Sequence, residues 1–444
     1  MTAASPTLVW LRDDLRLADN PALAAAAERG GPVVLVYLLD EVSHGIRPLG
    51  SASRWWLHHS LAALAATAPL VLRRGPAEEV IPALVAETDA GAVFWNRRYG
   101  ASRAIDARLK QRLRDDGIDV ASFHANLLFE PWTVTTAQGE PYRVFTPFWR
   151  AALEHPVRAP LPVPTVEWGH AASERLDDWA LLPTRPDWAA GLRDTWTPGE
   201  RGARERLEAF AERGLADYHR RDEPGAEATS RLSAHLRFGE LSPFQVWHAV
   251  EGRHANAEKF LSELGWREFN AGLLFRLPEL ATTNVKAQYD AFPWAEPDPA
   301  VLDAWRRGRT GIPLVDAGMR ELWHTGTMHN RVRMVAASLL VKNLLVHWRV
   351  GEQWFWDTLV DADEASNPGN WQWVAGCGLD AAPYFRVFNP VLQAARFDPD
   401  GEYVRRWVPE FGTPDYPEPI VDLGASRTAA LAAYERVKAA VDRR

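Results

Sequence analysis

Short apolar runs alternate with amphipathic segments through the first third of the chain. Five runs have the length and composition of buried strands, and they lie at 8–11, 33–39, 70–72, 92–95 and 118–123. The segments between them have apolar residues at helical spacing, over 20–29, 53–67, 76–88 and 102–116. Strands that alternate with helices are typical of a parallel sheet with helices on its faces. The pattern predicts an α/β fold with a doubly wound parallel sheet over residues 1–150.

The hydrophobic pattern changes after Arg150. Residues 156–198 are rich in proline and poor in periodicity, which predicts an inter-domain connection over 151–198. From 199 to 444 the spacing is helical, with few strand signals, so we expect an all-helical second domain there. Its predicted helices span 200–213, 243–251, 257–274, 299–307, 313–325, 330–348 and 353–360.

One segment of the helical domain, residues 361–390, has unusual chemistry. Two acids come first, a Pro-Gly pair follows, and two tryptophans come next: Asp361, Asp363, Pro368-Gly369, Trp371 and Trp373. The Pro-Gly pair predicts a turn, so we expect the acids and the tryptophans to face one cavity from its two sides. The residues alone leave a second interpretation open, in which the tryptophans belong to the core and the acids cap a helix.

Composition excludes several classes of protein. The chain has 444 residues, 47% hydrophobic and 24% charged, as expected of a globular protein with two domains. Its single cysteine, Cys377, excludes an intramolecular disulfide and a cysteine-rich site, and we predict no metal. Neither a targeting segment nor a membrane span is recognisable, so a cytoplasmic location is expected. Twenty-one tryptophans are unusual and suggest stacking surfaces or an electron relay.

Charge is unevenly distributed. The net charge of −8 argues against bulk attraction to nucleic acid. Residues 301–349, however, carry eight arginines and lysines against three acids, a local excess of +5. This excess predicts a basic patch, with a solvated helical face as the alternative interpretation.

Several segments together point to a family. They are WLRDDLRLADNPAL (10–23), YRVFTPFW (142–149), ATSRLSAHLRFGELSP (228–243), ELGWREF (263–269), TGIPLVDAGMREL (310–322), MHNRVRM (328–334) and ASLLVKNLLVHWRVGE (337–352). In this order they resemble the photolyase/cryptochrome flavoproteins, and most closely the bacterial class I cyclobutane pyrimidine dimer photolyases. The resemblance covers residues 8–434 and implies an antenna-type first domain.

The resemblance implies an FAD enzyme whose flavin lies in the helical domain. Hydroxyls and backbone N–H groups at 229–233 would hold the pyrophosphate, although Thr229 and Ser230 could instead be simple helix caps. Arg333 matches an arginine paired with one of two acids that face the flavin, and Asn367 matches the side chain that faces flavin N5. The matched cofactor residues are Tyr218, Thr229, Ser230, Arg231, Leu232, Ser233, Arg333, Asp361, Ala362, Asp363 and Asn367.

The resemblance also implies a substrate side. Trp266 and Trp373 match the two aromatic side chains that clamp a flipped pyrimidine dimer, and Met334 matches a further contact. Glu263 and Asn330 match the groups that hydrogen-bond the thymine edges, where a protonated Glu263 would stabilise developing negative charge. The candidates for DNA phosphate contacts are Arg221, Arg267, Arg331 and Arg386, each of which taken singly could be a surface charge.

Three tryptophans match the family's photoreduction chain from the flavin to the surface: Trp371, Trp348 and Trp305. Indole is among the most easily oxidised side chains, as electron hopping requires. In a chain with so many tryptophans, three ordinary core positions are the alternative interpretation.

The chain departs from the family pattern at three points. Pro368 alters the backbone beside the flavin, and Thr327 stands where a tryptophan commonly precedes MHNR. Gly100 stands where folate-binding members have a glutamate, which weakens the case for a folate antenna. A second chromophore, if present, is then a deazaflavin, another flavin or a folate, and its identity is left undetermined.

The function implied by the resemblance is repair. Light would excite FADH⁻, and an electron would pass to a cyclobutane pyrimidine dimer in double-stranded DNA and return after the ring splits. The alternative is a cryptochrome-like blue-light photoreceptor, although the few residues after Tyr434 offer no signalling tail. A (6-4) photolyase is a third interpretation, which a single histidine, His329, before Asn330 disfavours. We expect a monomer.

Overall fold

The computed structural model describes residues 4–381 and 385–441. Five parallel strands form one sheet with the order β3-β2-β1-β4-β5. They are β1 (Thr7–Leu11), β2 (Val33–Leu39), β3 (Leu70–Arg74), β4 (Ala92–Asn96) and β5 (Asp119–Phe123). In the central strand Val9 lies opposite Leu35 on one side and Phe94 on the other. The predicted parallel sheet is confirmed.

Helices cover both faces of this sheet: α1 (Pro21–Arg29), α2 (Ser51–Ala65), α3 (Ala77–Thr88) and α4 (Ser102–Asp115). Successive side chains of a strand point to opposite faces. Val9 and Leu11 therefore belong to one hydrophobic cluster, whereas Leu8 and Trp10 belong to another. Both faces of the central strand are buried, which explains why it reads as a continuous apolar run.

The segment after the sheet is more structured than its proline content predicted. It contains α5 (Phe145–Ala152), a 3₁₀ turn (Leu176–Trp179) and α6 (Ala190–Thr195). Trp179 and Trp196 are only 4% and 6% exposed, and both join the core beneath the sheet. Trp196 Nε1 donates to the carbonyl of Thr325 at 2.7 Å. Large parts of the predicted connection therefore pack into the molecule.

The remainder of the described chain is helical, as predicted. Its helices are α7 (Glu200–Ala209), α8 (Ser233–Arg237), α9 (Pro243–Val250), α10 (Ala257–Arg276), α11 (Pro299–Arg306), α12 (Pro313–Thr325), α13 (Asn330–Ser338), α14 (Trp348–Thr358), α15 (Ser366–Ala375), α16 (Pro390–Phe397), α17 (Glu402–Trp407) and α18 (Leu423–Val441). Over the described ranges, no helix has the length and apolar character that crossing a membrane requires.

The prediction of one helix over 330–348 was wrong. Helix α13 ends at Ser338, a π turn follows, and Leu345 has a left-handed φ of +55°. The carbonyl of Leu345 accepts a hydrogen bond from Ala295, 50 residues earlier. This long-range contact replaces helical hydrogen bonds, and α14 then begins afresh at Trp348.

The predicted turn at Pro368-Gly369 was also wrong, because both residues lie inside α15. Pro368 is the third residue of that helix. The first N–H groups of a helix have no partner within it, so a proline in the first turn removes no hydrogen bond. Gly369 already donates to the carbonyl of Ala365 at 3.0 Å, as a helical residue does. Pro368 is therefore compatible with a regular first turn of α15.

The two domains meet tightly at Gly239, just after α8. Its φ is +64°, and a Cβ there would lie 2.0 Å from the carbonyl oxygen of Asp13. Arg16, which is fully buried, donates to the Gly239 carbonyl at 2.8 Å. Leu15 donates its backbone N–H to the carbonyl of Phe238 at 3.0 Å. Backbone from the two domains thus approaches too closely for any side chain at this point.

We expect Gly239→Ala to lower the free energy of unfolding by more than about 2 kcal/mol, because it adds a steric clash to an unfavourable φ. Gly252→Ala is the matched control. Gly252 has a φ of +69° with nothing within 4 Å of an added Cβ, so only the conformational cost of about 1 kcal/mol applies. Denaturant midpoints measure both. Equal losses of unfolding free energy in the two variants would contradict this prediction, because they would show that the backbone near Gly239 shifts to accommodate the added methyl group.

Candidate functional site

The predicted pyrophosphate segment forms a tight turn that leads into α8. Arg231 has a φ of +53°, and Leu232 donates its backbone N–H to Ser230 Oγ at 3.4 Å. Leu232 is 1% exposed and anchors the turn in the core. The hydroxyls that remain accessible belong to Thr229, Ser230 and Ser233. Such a turn, with free hydroxyls and N–H groups, suits a phosphate.

Arg333 is paired with the first acid of the 361–363 segment. Its Nη1 and Nη2 donate to the two oxygens of Asp361 at 3.1 and 2.9 Å. Nη2 also donates to Thr327 Oγ1 at 3.2 Å, and Nε donates to the carbonyl of Met328 at 2.7 Å. Thr327 therefore helps to hold the arginine that fixes Asp361.

The second acid, Asp363, has a capping role. Its Oδ1 accepts hydrogen bonds from the backbone N–H groups of Ala365 and Ser366 at 2.8 and 2.6 Å. The interpretation of the acids as helix caps therefore holds for Asp363 and not for Asp361, while none of the described residues donates to Asp363 Oδ2. Arg237 Nε donates to the carbonyl of Ala362 at 2.8 Å and so joins this segment to α8.

Asn367 is the second residue of α15 and is 7% exposed. Its Nδ2 donates to Glu352 Oε1 at 2.8 Å and to the Glu352 carbonyl at 3.1 Å. No residue that the structure describes donates to its Oδ1. This oxygen is therefore available to accept a hydrogen bond from a bound ligand.

These residues fit FAD. Arg237 brings the predicted pyrophosphate turn and the 361–363 segment together. Tyr218, at the start of a 3₁₀ turn, is 6% exposed and packs against Phe210 and Phe260. Accessible hydroxyls suit the phosphates, and the unpaired Asn367 Oδ1 suits a polar atom of the isoalloxazine ring.

The predicted electron chain begins at Trp371, which is 3% exposed. Its ring lies against α14, where a Cβ at Gly351 would approach a ring carbon to 2.1 Å. Trp348 is fully buried one turn earlier on α14 and donates from Nε1 to Asn284 Oδ1 at 2.8 Å. Trp371 and Trp348 therefore lie on adjoining helices and within about one helical turn of each other.

The placement of Trp305 at the surface end of this chain was wrong. Trp305 is 0% exposed, and its ring centroid lies 6.3 Å from that of Trp371. Trp294, which was not predicted, is a better candidate for the surface end, because it is partly exposed and its ring lies 4.9 Å from that of His347. His347 is in turn 5.6 Å from the ring of Trp348. Exposure depends on tertiary packing, so no local sequence signal distinguishes Trp294 from Trp305.

The predicted aromatic clamp is only partly open. Trp266, on α10, stacks on Phe145 with ring centroids 3.8 Å apart and an interplanar angle of 8°. One face of Trp266 is therefore covered, and only the other can receive a base. Trp373, on α15, is partly buried and donates from Nε1 to the carbonyl of Asp380 at 3.0 Å.

The two predicted hydrogen-bonding residues differ in their surroundings. Glu263 forms an ion pair with Lys259 at 2.6 Å, and its side chain is 38% exposed. The ion pair needs an ionised carboxylate, so donation to a substrate requires Lys259 to move away first. Asn330 is exposed at the start of α13, and Met334, one turn later, is partly buried.

The four predicted phosphate-binding arginines differ in their surroundings. Arg386 is exposed, and its guanidinium lies over the ring of Phe388. Arg331 pairs with Asp222 at 2.8 Å. Arg221 lies over the ring of Tyr218. Arg267 donates to the carbonyl of Asn126 at 2.6 Å and lines the cavity between the domains. Arg267 is therefore directed into the interior, which contradicts a role on DNA phosphates.

The basic excess at 301–349 does not form one open patch. Several of its cations are already neutralised, in the pairs Arg307–Asp303, Arg320–Glu410, Arg331–Asp222 and Arg333–Asp361. Lys342 is 1% exposed and donates to the carbonyl of Ala375. Burial holds the pKa of this lysine well below its usual range.

A cavity of about 150 Å³ lies between the domains, at the carboxyl ends of the strands. Its lining includes Arg12 after β1, Asp40 after β2 and Arg98 after β4. The order of the strands reverses beside β1, and ligands of such sheets bind at this edge. At Gly100 an added Cβ would lie 2.6 Å from Glu364 Oε2, so a glutamate would not fit there without rearrangement.

An α/β domain is joined here to a helical domain whose side chains suit the chemical groups of FAD. This combination defines a two-domain flavoprotein. Residues 7–165 match the family described as DNA photolyase, and residues 260–414 match the FAD binding domain of DNA photolyase. A deoxyribodipyrimidine photo-lyase of Agrobacterium fabrum is 51% identical over 98% of both chains. The chain belongs to the photolyase/cryptochrome family.

Two solved structures of photolyases are also similar to this chain. A bacterial class III photolyase from Agrobacterium tumefaciens has a TM-score of 0.94 and 49% identity, over 99% of this chain and 98% of that one. An archaeal photolyase from Sulfolobus tokodaii, described with two FAD molecules, has a TM-score of 0.84 and 29% identity, over 97% and 99%. The likeness to a class III protein leaves the class I resemblance a prediction.

Glu268 ties the helix that carries Trp266 to the first domain. It is 3% exposed, and its Oε2 accepts hydrogen bonds from the backbone N–H groups of Leu128 and Phe129 at 2.8 and 3.2 Å. Burial raises the pKa of this carboxyl to about 7, although the nearby Arg267 opposes the shift.

Stability should therefore fall between pH 4.5, the ordinary pKa of a glutamate, and about pH 7, because the folded chain retains a proton that the unfolded chain loses. Glu268→Gln cannot ionise and should escape this loss. Relative to wild type, its free energy of unfolding should rise by up to about 3 kcal/mol from pH 4.5 to pH 8. Glu263→Gln, on the same helix but 38% exposed, is the control. Parallel pH profiles for Glu268→Gln and wild type would contradict the assignment.

Proposed function

We propose that this chain is a light-driven DNA photolyase that splits cyclobutane pyrimidine dimers. The observation that carries the proposal is the 51% identity to a deoxyribodipyrimidine photo-lyase over 98% of both chains. The predicted cofactor residues support it: Arg237 of α8 bonds to the carbonyl of Ala362, Arg333 pairs with Asp361, and the Asn367 amide is held by Glu352. The substrate is double-stranded DNA that contains such dimers, and we propose a monomeric, cytoplasmic enzyme.

Reduced FAD, when bound and excited by light, supplies the electron for this reaction. The residues of the chain hold and orient it. The turn at 229–233 would hold the pyrophosphate, and Asp361 and Asp363 would bind polar groups of the ribityl chain and ring. Arg333 keeps Asp361 in place, and Asn367, whose Nδ2 is held by Glu352, would face N5 with its Oδ1.

The substrate site uses the open surface beside this cofactor site. Photolyases are among the enzymes that take the target base out of the duplex stack. Trp266 offers one free face, and Trp373 and Met334 supply further apolar contact. Asn330 and Glu263 bind the pyrimidine edges. A half-exposed ion pair is worth at most about 1 kcal/mol, so Lys259 releases Glu263 readily.

Phosphate contacts fall to Arg221, Arg331 and Arg386, which position the duplex without reading its sequence. Arg331 would exchange its surface partner Asp222 for a phosphate.

We also propose that the cavity between the domains takes a second chromophore. The Sulfolobus tokodaii protein, described with two FAD molecules and a light-harvesting cofactor, supports this role, and the chromophore would be a flavin, a deazaflavin or a folate.

The function is tested with purified chain and a duplex oligonucleotide that contains one thymine dimer. Denaturation should release FAD, and blue light should restore the undamaged duplex when the flavin is reduced. Dark samples should show no repair, and binding should favour damaged over undamaged duplex. A chain that binds FAD and responds to light but repairs nothing would favour the photoreceptor alternative.

Trp371→Phe should block light-driven reduction of oxidised FAD, because Trp371 is the first oxidisable side chain of the route through Trp348 to Trp294. Repair by chemically pre-reduced variant should continue, since repair draws on the reduced flavin. Trp10→Phe, a buried tryptophan of β1, is the control and should photoreduce normally. Stopped-flow absorbance under illumination measures the rates, and normal photoreduction in Trp371→Phe would refute this route.

A further inference from the structure

A buried carboxylate on α14 connects Asn367 to the first domain. Glu352 is 1% exposed, and its Oε1 accepts a hydrogen bond from Asn367 Nδ2 at 2.8 Å. The backbone carbonyl of Glu352 accepts a second hydrogen bond from the same nitrogen at 3.1 Å. Both acceptors belong to one residue, so the orientation of the Asn367 amide depends on Glu352.

Arg47, in the segment between β2 and α2, supplies the positive charge beside this carboxylate. Its Nη1 donates to Glu352 Oε1 at 2.6 Å, and its Nη2 donates to Oε2 at 3.0 Å. The guanidinium also lies 4.0 Å from the ring centroid of Trp356. A buried carboxylate that lacks a cation is strongly disfavoured. Arg47 therefore supplies the compensating charge, and a carboxylate in such a pair accepts hydrogen bonds without donating any.

This pairing determines which way the Asn367 amide faces. Reversing the amide would place Oδ1 against Glu352 Oε1 at 2.8 Å, with no proton between the two oxygens. The NH₂ group must therefore face Glu352. Oδ1 lies on the other arm of the amide, where none of the described side chains or N–H groups donates to it.

We propose that Arg47 is a positioning residue for the flavin, which acts through Glu352 to hold Asn367 Oδ1 as a hydrogen-bond acceptor toward N5. The inference rests on the proposed function, in which Asn367 faces N5. In oxidised flavin N5 is itself an acceptor, whereas in reduced flavin N5 carries a hydrogen. An acceptor on Asn367 therefore favours the reduced cofactor, and a residue of the first domain maintains that preference.

Arg47→Met removes the charge and keeps an apolar stem over Trp356. The measurement is a redox titration of bound FAD in the whole chain, followed by absorbance. We expect about tenfold less reduced relative to oxidised flavin at a fixed potential, the effect of losing roughly one hydrogen bond. Arg54→Met is the matched control, because Arg54 pairs through one nitrogen with both oxygens of Glu41 and does not contact Glu352.

The double variant Arg47→Met/Glu352→Gln tests the route. The introduced amide is neutral and still offers an oxygen to Asn367 Nδ2, so the flavin ratio should return toward the wild-type value. A purely structural role for Arg47 would leave the double variant as altered as the single one. If Arg47→Met does not fold, Arg47→Gln allows the same comparison.

Two results would overturn the inference, and they differ in whether the proposed function is rejected as well. An unchanged flavin ratio in Arg47→Met, equal to that in Arg54→Met, rejects the role of Arg47 and leaves FAD binding and repair intact. A wild-type chain that holds no FAD rejects this inference and the proposed function together.

Discussion

The candidate site depends on how the first turn of α15 is held. Asp363 Oδ1 caps the helix through the N–H groups of residues 365 and 366, while Arg333 fixes Asp361 two residues earlier. Asn367 and Trp371 are four residues apart, so they share a face of the helix. Trp373 is two residues further and points to a different side. One capped helix can thus present an amide and an indole to a cofactor and a second indole to a substrate.

The sheet was predictable because the pattern of apolar residues within each segment determines its strands and helices. A strand with both faces buried is apolar throughout, whereas the helices between strands have apolar residues at helical spacing. The two errors in the helical domain have the opposite origin. A Pro-Gly pair usually marks a turn, yet a proline in a first helical turn removes no hydrogen bond. The run 330–348 has helical spacing, yet a hydrogen bond from the distant Ala295 ends the helix. Long-range contacts of this kind leave no trace in the local pattern.

The same distinction applies to the site. Resemblance to a family indicated which residue types surround a flavin, and Arg333 does pair with an acid of the predicted segment. The partners that modify those residues come from elsewhere in the chain: Phe145 covers one face of Trp266, and Lys259 holds Glu263. Arg267 turns inward to Asn126, and Trp305 has no exposed surface. Exposure and pairing are tertiary properties, so they require the fold.

The charges across the domain boundary also show why the cofactor site needs both domains. Glu352 is buried on a helix of the second domain, and in the described part of the chain its ion-pair partner is Arg47 of the first. Removing Arg47 while the domains stay together would leave that carboxylate buried without a cation, at a cost on the order of 3 kcal/mol or more. Asp13 and Arg237 form a second ion pair across the boundary, and Arg237 also binds the carbonyl of Ala362. The first domain thus contributes charges that pair with residues of the candidate cofactor site, apart from any role in collecting light.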